Sequence, residues 1–171
     1  MCPRLSIAEY QESDKFPLVV VLEDVRSGLN VGSIFRSADS FRVQKMILGG
    51  YTPCPPHREV LKTALGATES VNWEKCSDVA AVCSHYRSMG YLICAIEQEN
   101  TPTDIREFDP PSLATGIVIV LGNEVKGVSP AVLRLCDQVL EVVQYGTKQS
   151  LNVSVCAGIA LFELTRKMTR E

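Results

Sequence analysis

The sequence predicts an α/β fold, a mostly parallel sheet with helices on both faces. Short, branched apolar runs recur along its 171 residues, and such runs suit strands covered on both sides. Between them, apolar residues repeat at spacings of three and four, the period of a helix. Polar, glycine-rich loops follow three of the runs, and regular strand–helix alternation gathers such loops at the carboxyl ends of a parallel sheet.

Pro17-Leu-Val-Val-Val-Leu22 reads as the first strand, bounded by turn signals. A helix follows, with Asn30 placed to cap it and with Ile34, Phe35, Ala38 and Phe41 as its buried stripe. Arg36 then falls in its second turn. Lys45-Met-Ile-Leu48 is the second strand and ends at Gly49-Gly50, after which a loop containing Pro53, Pro55 and Pro56 leads into a short helix over 58–64. Val71-Asn-Trp-Glu74 is a short third strand, 78–88 a helix and Tyr91-Leu-Ile-Cys-Ala-Ile96 a further strand. A polar link over 97–112 precedes a central strand at 117–121. Pro130 suits the first position of a short helix. Residues 138–143 form the last strand. The closing helix runs from about 152 to 166, with Val155, Ile159 and Phe162 on one face and Ser150 or Asn152 as its cap.

The expected organisation is one domain over 1–171, long enough to bury roughly 68–70% of the surface that the unfolded chain exposes. Hydrophobic residues at 46% and charged residues at 22% are ordinary for a globular chain. The start lacks an apolar signal core, and no run approaches the ~20 apolar residues of a membrane helix. The expected compartment is therefore the cytoplasm, with no membrane association. Seven cysteines include no Cys-x-x-Cys pair and fit a reducing compartment. Cys76, Cys83 and His85 lack zinc-ligand spacing, so no metal is expected. A formal net charge of −3 gives no global attraction to nucleic acid, so any RNA site must be a local patch. Basic residues flank the motifs early (Arg26, Arg36, Arg42, Lys45), centrally (His57, Arg58, Lys62) and late (Lys126, Lys148).

Gly122, Gly127 and Gly146 allow tight turns or close approach of bare backbone to a ligand. Gly28-Leu-Asn-Val-Gly32 is neither a dinucleotide fingerprint nor a phosphate loop. Arg36 and Glu124 are the charged residues best placed to reach a polar ligand; a salt bridge between them would be the alternative. Asn30, Asn123 and Asn152 can read a hydroxyl or an adenine edge, or can cap their own helices. His57 and His85 lie outside every motif, which argues against a nucleophile triad.

Three segments together resemble the SpoU (TrmH-like) branch of the SPOUT RNA methyltransferases, in order and at matching separations. They are Asn30 to Arg36, Leu121-Gly-Asn-Glu-Val-Lys-Gly127 and Ser150-Leu-Asn-Val-Ser154. Lys62-Thr-Ala-Leu-Gly-Ala67 looks like a lesser signature of the same family. The resemblance spans nearly the whole chain. It implies a SPOUT fold with a deep trefoil knot at the carboxyl end, a homodimer, and methyl transfer from S-adenosylmethionine to a ribose 2′-hydroxyl of tRNA, with rRNA second. Catalytic residues carried over are Arg36, Asn30, Glu124, Ser150 and Asn152. Cofactor contacts carried over are Gly122, Asn123, Gly127, Val142, Val143, Gln144, Leu151 and Asn152. Many relatives carry an amino-terminal RNA-binding domain. The expectation here is a lone catalytic domain with 1–16 as an extension, so that the catalytic domain itself, or an accessory protein, meets the RNA. Where relatives often have Pro-Met after the last strand, this chain has Val143-Gln144. Its Ser-Leu-Asn-Val-Ser segment looks more like guanosine-modifying relatives than like the short wobble-position enzymes. The rival reading is a knotted RNA-binding protein without catalysis, which would be expected to lack Arg36 or the glycine loops.

Overall fold

The computed structural model describes residues 5–98 and 102–169. In chain order the elements are α1 (Ile7–Glu12), β1 (Phe16–Glu23), α2 (Gly28–Ser40), β2 (Val43–Gly49), α3 (Arg58–Ala64), α4 (Ala67–Ser70), β3 (Trp73–Cys76), α5 (Val79–Ser88), β4 (Tyr91–Ile96), β5 (Thr103–Asp104), β6 (Gly116–Leu121), α6 (Pro130–Leu133), β7 (Gln138–Glu141) and α7 (Val153–Met168). The strands form one seven-stranded sheet in the order β3-β2-β1-β6-β4-β7-β5. Every strand pair among the described residues is parallel.

Alternation along the strands explains why the apolar runs are unbroken. In β1, Leu18, Val20 and Leu22 enter one core, while Val19 and Val21 enter the other. In β6, Ile117, Ile119 and Leu121 face the first core, and Val118 and Val120 face the second. Successive strand side chains point to opposite faces, so a sheet covered on both sides needs apolar residues at both parities. Helices α1, α2, α3, α4 and α7 supply the first core, and α5 and α6 the second. The expected α/β class with helices on both faces is what forms.

The chain leaves β1 towards β2 on one side and leaves β6 towards β7 on the other, although β1 and β6 are neighbours. Loops that depart in opposite directions from adjacent strands open a crevice between them, and that is where open α/β sheets hold ligands.

Several boundaries differ from the sequence reading. Ser27 caps α2, its hydroxyl accepting the Asn30 amide at 3.3 Å, so Asn30 lies inside the first turn with its side chain free for other work. Phe41 closes that helix and is only half buried. Strand β5 forms inside the polar link, and β7 ends at Glu141, which leaves Val142 and Val143 in the following loop. Short helices α1 and α4 also went unread in the sequence. Asn152, not Ser150, caps α7, accepting the Ser154 amide at 2.8 Å. Val155, Ile159 and Phe162 do share a face of α7, but it is the outer one, 50%, 38% and 56% exposed; the inner face is Ala157, Ala160, Leu161 and Leu164.

Gly32 explains why α3 lies so close to α2. A Cβ there would fall 2.2 Å from both Thr63 Oγ1 and the Val60 carbonyl. In the space left open, the Thr63 hydroxyl donates to the Leu29 carbonyl at 2.8 Å. Leu65 and Gly66, both at positive φ, then turn the chain from α3 into α4. This turn is the structural content of the Lys62 to Ala67 segment.

Candidate functional site

The loop after β6 begins where Gly122 must have no side chain: a Cβ would lie 2.2–2.3 Å from the backbone of Gly127 and Val128. That contact lets Asn123 and Gly127 exchange backbone hydrogen bonds at 3.1 and 2.9 Å, closing the loop on itself. The Asn123 side chain finishes the turn. Its Oδ1 accepts the Val125 and Lys126 amides at 2.9 and 3.0 Å, and its Nδ2 donates to the Asp24 carbonyl at 2.8 Å, tying this loop to the one after β1. Gly127, at φ +68°, presents its neighbour's amide to Glu97: Val128 N–H donates to Glu97 Oε2 at 3.0 Å.

Glu124 spans the crevice. Its carboxylate accepts the Arg26 and Ser27 amides, at 3.0 and 3.2 Å, and the Asn30 side-chain amide at 3.2 Å. Asn30 Oδ1 in turn accepts Asn152 Nδ2 at 3.1 Å, and Asn152 Oδ1 receives both the amide and the hydroxyl of Ser154. Residues from the first, second and third motifs thus form one hydrogen-bonded chain, with separations of 94 and 122 positions in the sequence. Burial alone would raise the Glu124 pKa. The amides of Arg26, Glu124 itself and Ser27, joined by Asn30, outweigh it and hold the carboxyl below the usual range. Glu124 is therefore an anion anchored on the Arg26 and Ser27 amides that also holds the Asn30 side-chain amide.

Beside this network opens a cleft of about 550 Å³, a size that suits a nucleoside-like ligand. Gly122, Asn123, Glu124 and Gly127 line it from the β6 loop, Val142 and Gln144 from the β7 loop, and Ser150, Leu151 and Asn152 from the approach to α7. Among the described residues, no backbone hydrogen bond ties Val142, Val143, Gln144 or Leu151 to the fold, so the lining ones have peptide groups available for a ligand. Val143 and Asn30 are not among the lining residues, and neither is Arg36. Arg36 lies six residues beyond Asn30 on α2, about 9 Å along the axis, with its side chain exposed and without a polar partner among the described residues. No Arg36–Glu124 salt bridge forms, and the structure does not bring Arg36 into the cleft of its own chain.

Sequence reasoning missed Ile96, Glu97 and Gln98, which also line the cleft. The signal was available: Ile96 ends β4, a central strand beside β6, and Glu97 and Gln98 follow it at the carboxyl end. Cys156 lines it too, its thiol pushed up to about 11 by burial and by Glu97, so it is a neutral wall group and no nucleophile. Cys83 is core, its thiol raised to about 12 chiefly by burial, while His85 is exposed.

Chemically, the arrangement offers a polar, glycine-floored pocket and, at its mouth, an anion-anchored pair of asparagines able to position a hydroxyl. No helix among the described residues is long and apolar enough to cross a membrane.

Comparison with known proteins agrees with this geometry. A Staphylococcus saprophyticus protein assigned to the TrmH family of tRNA/rRNA methyltransferases is 32% identical over 161 residues, covering 94% of this chain and 63% of the relative. The 23S rRNA (guanosine-2'-O-)-methyltransferase RlmB of Vibrio vulnificus is 30% identical over 151 residues, covering 88% of this chain and 60% of the relative. The crystal structure of an AdoMet-bound rRNA methyltransferase from Sinorhizobium meliloti superposes with a TM-score of 0.82 at 26% identity, over 92% of this chain and 59% of that one. The chain thus spans less than two thirds of the length of these relatives. Residues 17–162 match the model of the SpoU rRNA Methylase family, and with that match over most of its length the chain belongs to this family.

Proposed function

We propose that this chain is the catalytic domain of an RNA 2′-O-ribose methyltransferase that draws its methyl group from S-adenosylmethionine and acts on tRNA, with rRNA as the second candidate, as a cytoplasmic homodimer. The observation that carries the reading is the Glu124–Asn30–Asn152 network at the mouth of the cleft, because it joins all three motifs into one hydroxyl-orienting device.

The cleft fits the cofactor. Peptide groups without hydrogen bonds to the fold along Val142, Gln144 and Leu151 suit a nucleoside edge, and the tightly closed Gly122–Gly127 loop brings backbone to the same cleft. Asn123, Asn152 and the carboxylates of Glu97 and Glu124 suit the polar, cationic remainder. When bound, the cofactor supplies a methyl group on a sulfonium centre. The chain's own task is to hold a ribose oxygen in line with that carbon and to stabilise the charge developing on the oxygen. Glu124 fixes Asn30, and Asn152 fixes it from the other side; with both anchored, Asn30 and Ser150 orient the ribose. Arg36 supplies the positive field for the incipient alkoxide. The proton itself leaves to an RNA phosphate or to water.

Because Arg36 stands outside its own cleft, catalysis needs RNA or a second copy of the chain to bring arginine and ribose together. The outer stripe of α7, Val155, Ile159 and Phe162, supports the second copy: it is a contiguous apolar surface beside α2, which carries Arg36, and the Phe41 and Phe162 rings meet edge to face at 6.3 Å across the two helices. The trefoil knot is part of this reading. It is supported by family membership and by the path of the chain, which runs out to β7 beyond β4 and returns through α7 to pack on α2, where Gly158 lies over Ser37.

The test is incubation with methyl-labelled S-adenosylmethionine and unmodified tRNA or rRNA, with the modified nucleotide mapped, for wild type and Arg36→Ala. Arginine-dependent label on a defined ribose is expected. Cofactor binding without transfer to either RNA would replace this reading with that of a knotted RNA-binding protein.

A further inference from the structure

A second cleft lies at the same edge of the sheet, on the other side of the crevice. It has a volume of about 620 Å³ and is lined by Asp24, Gly50 and Tyr51 from the loops after β1 and β2, by Lys75 and Cys76 at the end of β3 and by Ser77 just beyond it. Its rim carries Tyr51, 88% exposed. The backbone beneath that ring is held in an unusual conformation. Asp24, a non-glycine residue at φ 54°, turns its Oδ1 to accept the Tyr51 amide at 2.8 Å, and a Cβ on Gly50 would fall 2.1 Å from the same oxygen. Such left-handed positions persist where the surroundings over-determine them, and they cluster at functional sites.

Asp24 also couples the two clefts, since its carbonyl accepts Asn123 Nδ2 while its carboxylate holds Tyr51. Across the second cleft stands Lys75, exposed and without a side-chain partner among the described residues; the neighbouring Glu74 is taken by Lys45 at 2.9 Å. An open aromatic face and an unpaired ammonium are the two elements that hold a single-stranded nucleotide, one stacking the base and the other meeting the phosphate. The second cleft's β2 lies two strands from β6, about 10 Å at the usual strand spacing, within reach of adjoining nucleotides of one strand.

We propose that this cleft holds a nucleotide flanking the one whose ribose is presented at the motif loops, its base stacked on Tyr51 and its phosphate against Lys75. The proposal rests on the RNA methyltransferase reading above and adds to it where the RNA strand runs. Because stacking is indifferent to base identity, this contact positions the strand without reading its sequence.

The experiment compares wild type, Tyr51→Ala, Tyr51→Phe and Lys75→Ala in the full chain. Affinity for a labelled single-stranded RNA of mixed sequence and for unmodified tRNA and rRNA is read by anisotropy at several salt concentrations, and S-adenosylmethionine binding by calorimetry. Tyr51→Ala is expected to weaken RNA binding about five- to hundred-fold, and Tyr51→Phe to bind like wild type. Lys75→Ala should lower the salt slope by about one, with cofactor affinity unchanged throughout. RNA affinity unaffected by Tyr51→Ala and Lys75→Ala, in a protein whose wild type transfers methyl groups, would overturn the second cleft as an RNA site and leave the enzyme reading standing. Parallel loss of cofactor binding in Tyr51→Ala would also overturn it, by showing that Tyr51 shapes the loop only. A wild type that neither binds RNA nor transfers would remove both.

Discussion

Gly122→Ala should damage the protein through a single methyl group. The added Cβ would sit 2.2 Å from the Gly127 carbonyl carbon, 2.3 Å from its oxygen and 2.3 Å from the Val128 nitrogen, whereas non-bonded heavy atoms rest at about 3.5–4.0 Å. All three obstructing atoms are backbone, so no rotamer change relieves the overlap of roughly an ångström or more. The 122–127 loop must open instead, breaking the paired Asn123–Gly127 hydrogen bonds and displacing Glu124 from the Arg26 and Ser27 amides. Overpacking against rigid atoms costs typically 1–3 kcal/mol and occasionally more, and about 3 kcal/mol is expected here. For a chain of this size that corresponds to a fall in Tm of about 6–12 °C. Because the same loop floors the cleft, calorimetry should find S-adenosylmethionine binding lost as well. Gly146→Ala is the internal control, for a Cβ there meets nothing within 4 Å, and its Tm should stay within about 2 °C of wild type. A Gly122→Ala protein with wild-type melting and cofactor binding, or a Gly146→Ala protein equally impaired, would refute the steric argument.

Arg36→Ala removes an exposed side chain that has no polar partner among the described residues. Its unfolding free energy should stay within about 0.5 kcal/mol of wild type, while methyl transfer falls at least about a hundred-fold; matched loss of both in melting and labelling assays would make the residue structural. Asn152→Ala deletes the α7 cap and the bond to Asn30, which should cost about 1 kcal/mol in urea unfolding and lower transfer as Asn30 loses one of its anchors. The folded pKa of Glu124 is depressed, so the carboxylate's contribution to stability is full above its unfolded value of about 4.3 and is lost as the pH falls through the folded value. The difference in urea midpoint between wild type and Glu124→Gln should therefore be present at roughly pH 6 and shrink towards pH 3; a difference that grew on acidification would reverse the sign and refute the assignment.

Much of this molecule was legible in its residues because the relevant signals are local. Runs such as Pro17 to Leu22 and Ile117 to Leu121 are apolar at both parities, which only a sheet covered on both faces requires, and two separate cores receive their alternate side chains. The three motif loops were recognisable from glycines and amides that remain adjacent in the chain. What escaped is what depends on distant partners. Asn30 reads as a cap until Ser27 is seen to perform that task and Glu124, 94 residues later, to hold its side chain. Val155, Ile159 and Phe162 form an apolar stripe by periodicity, yet periodicity does not say which face of α7 meets α2. Glu97 and Gln98 sit in a polar link without a motif and join the cleft only because β4 lies beside β6.

The sequence by itself determined the fold class, since apolar runs and helical spacings are read over a few residues at a time, and it carried the three motif segments whose resemblance points to the family. Tertiary structure alone decided which side chains meet. It placed Asn30, Glu124 and Asn152 in one network, left Arg36 outside the cleft and set Asp24 between two clefts. Those outcomes depend on the order in which parallel strands assemble, and strand order is a property of long-range packing that no local pattern encodes.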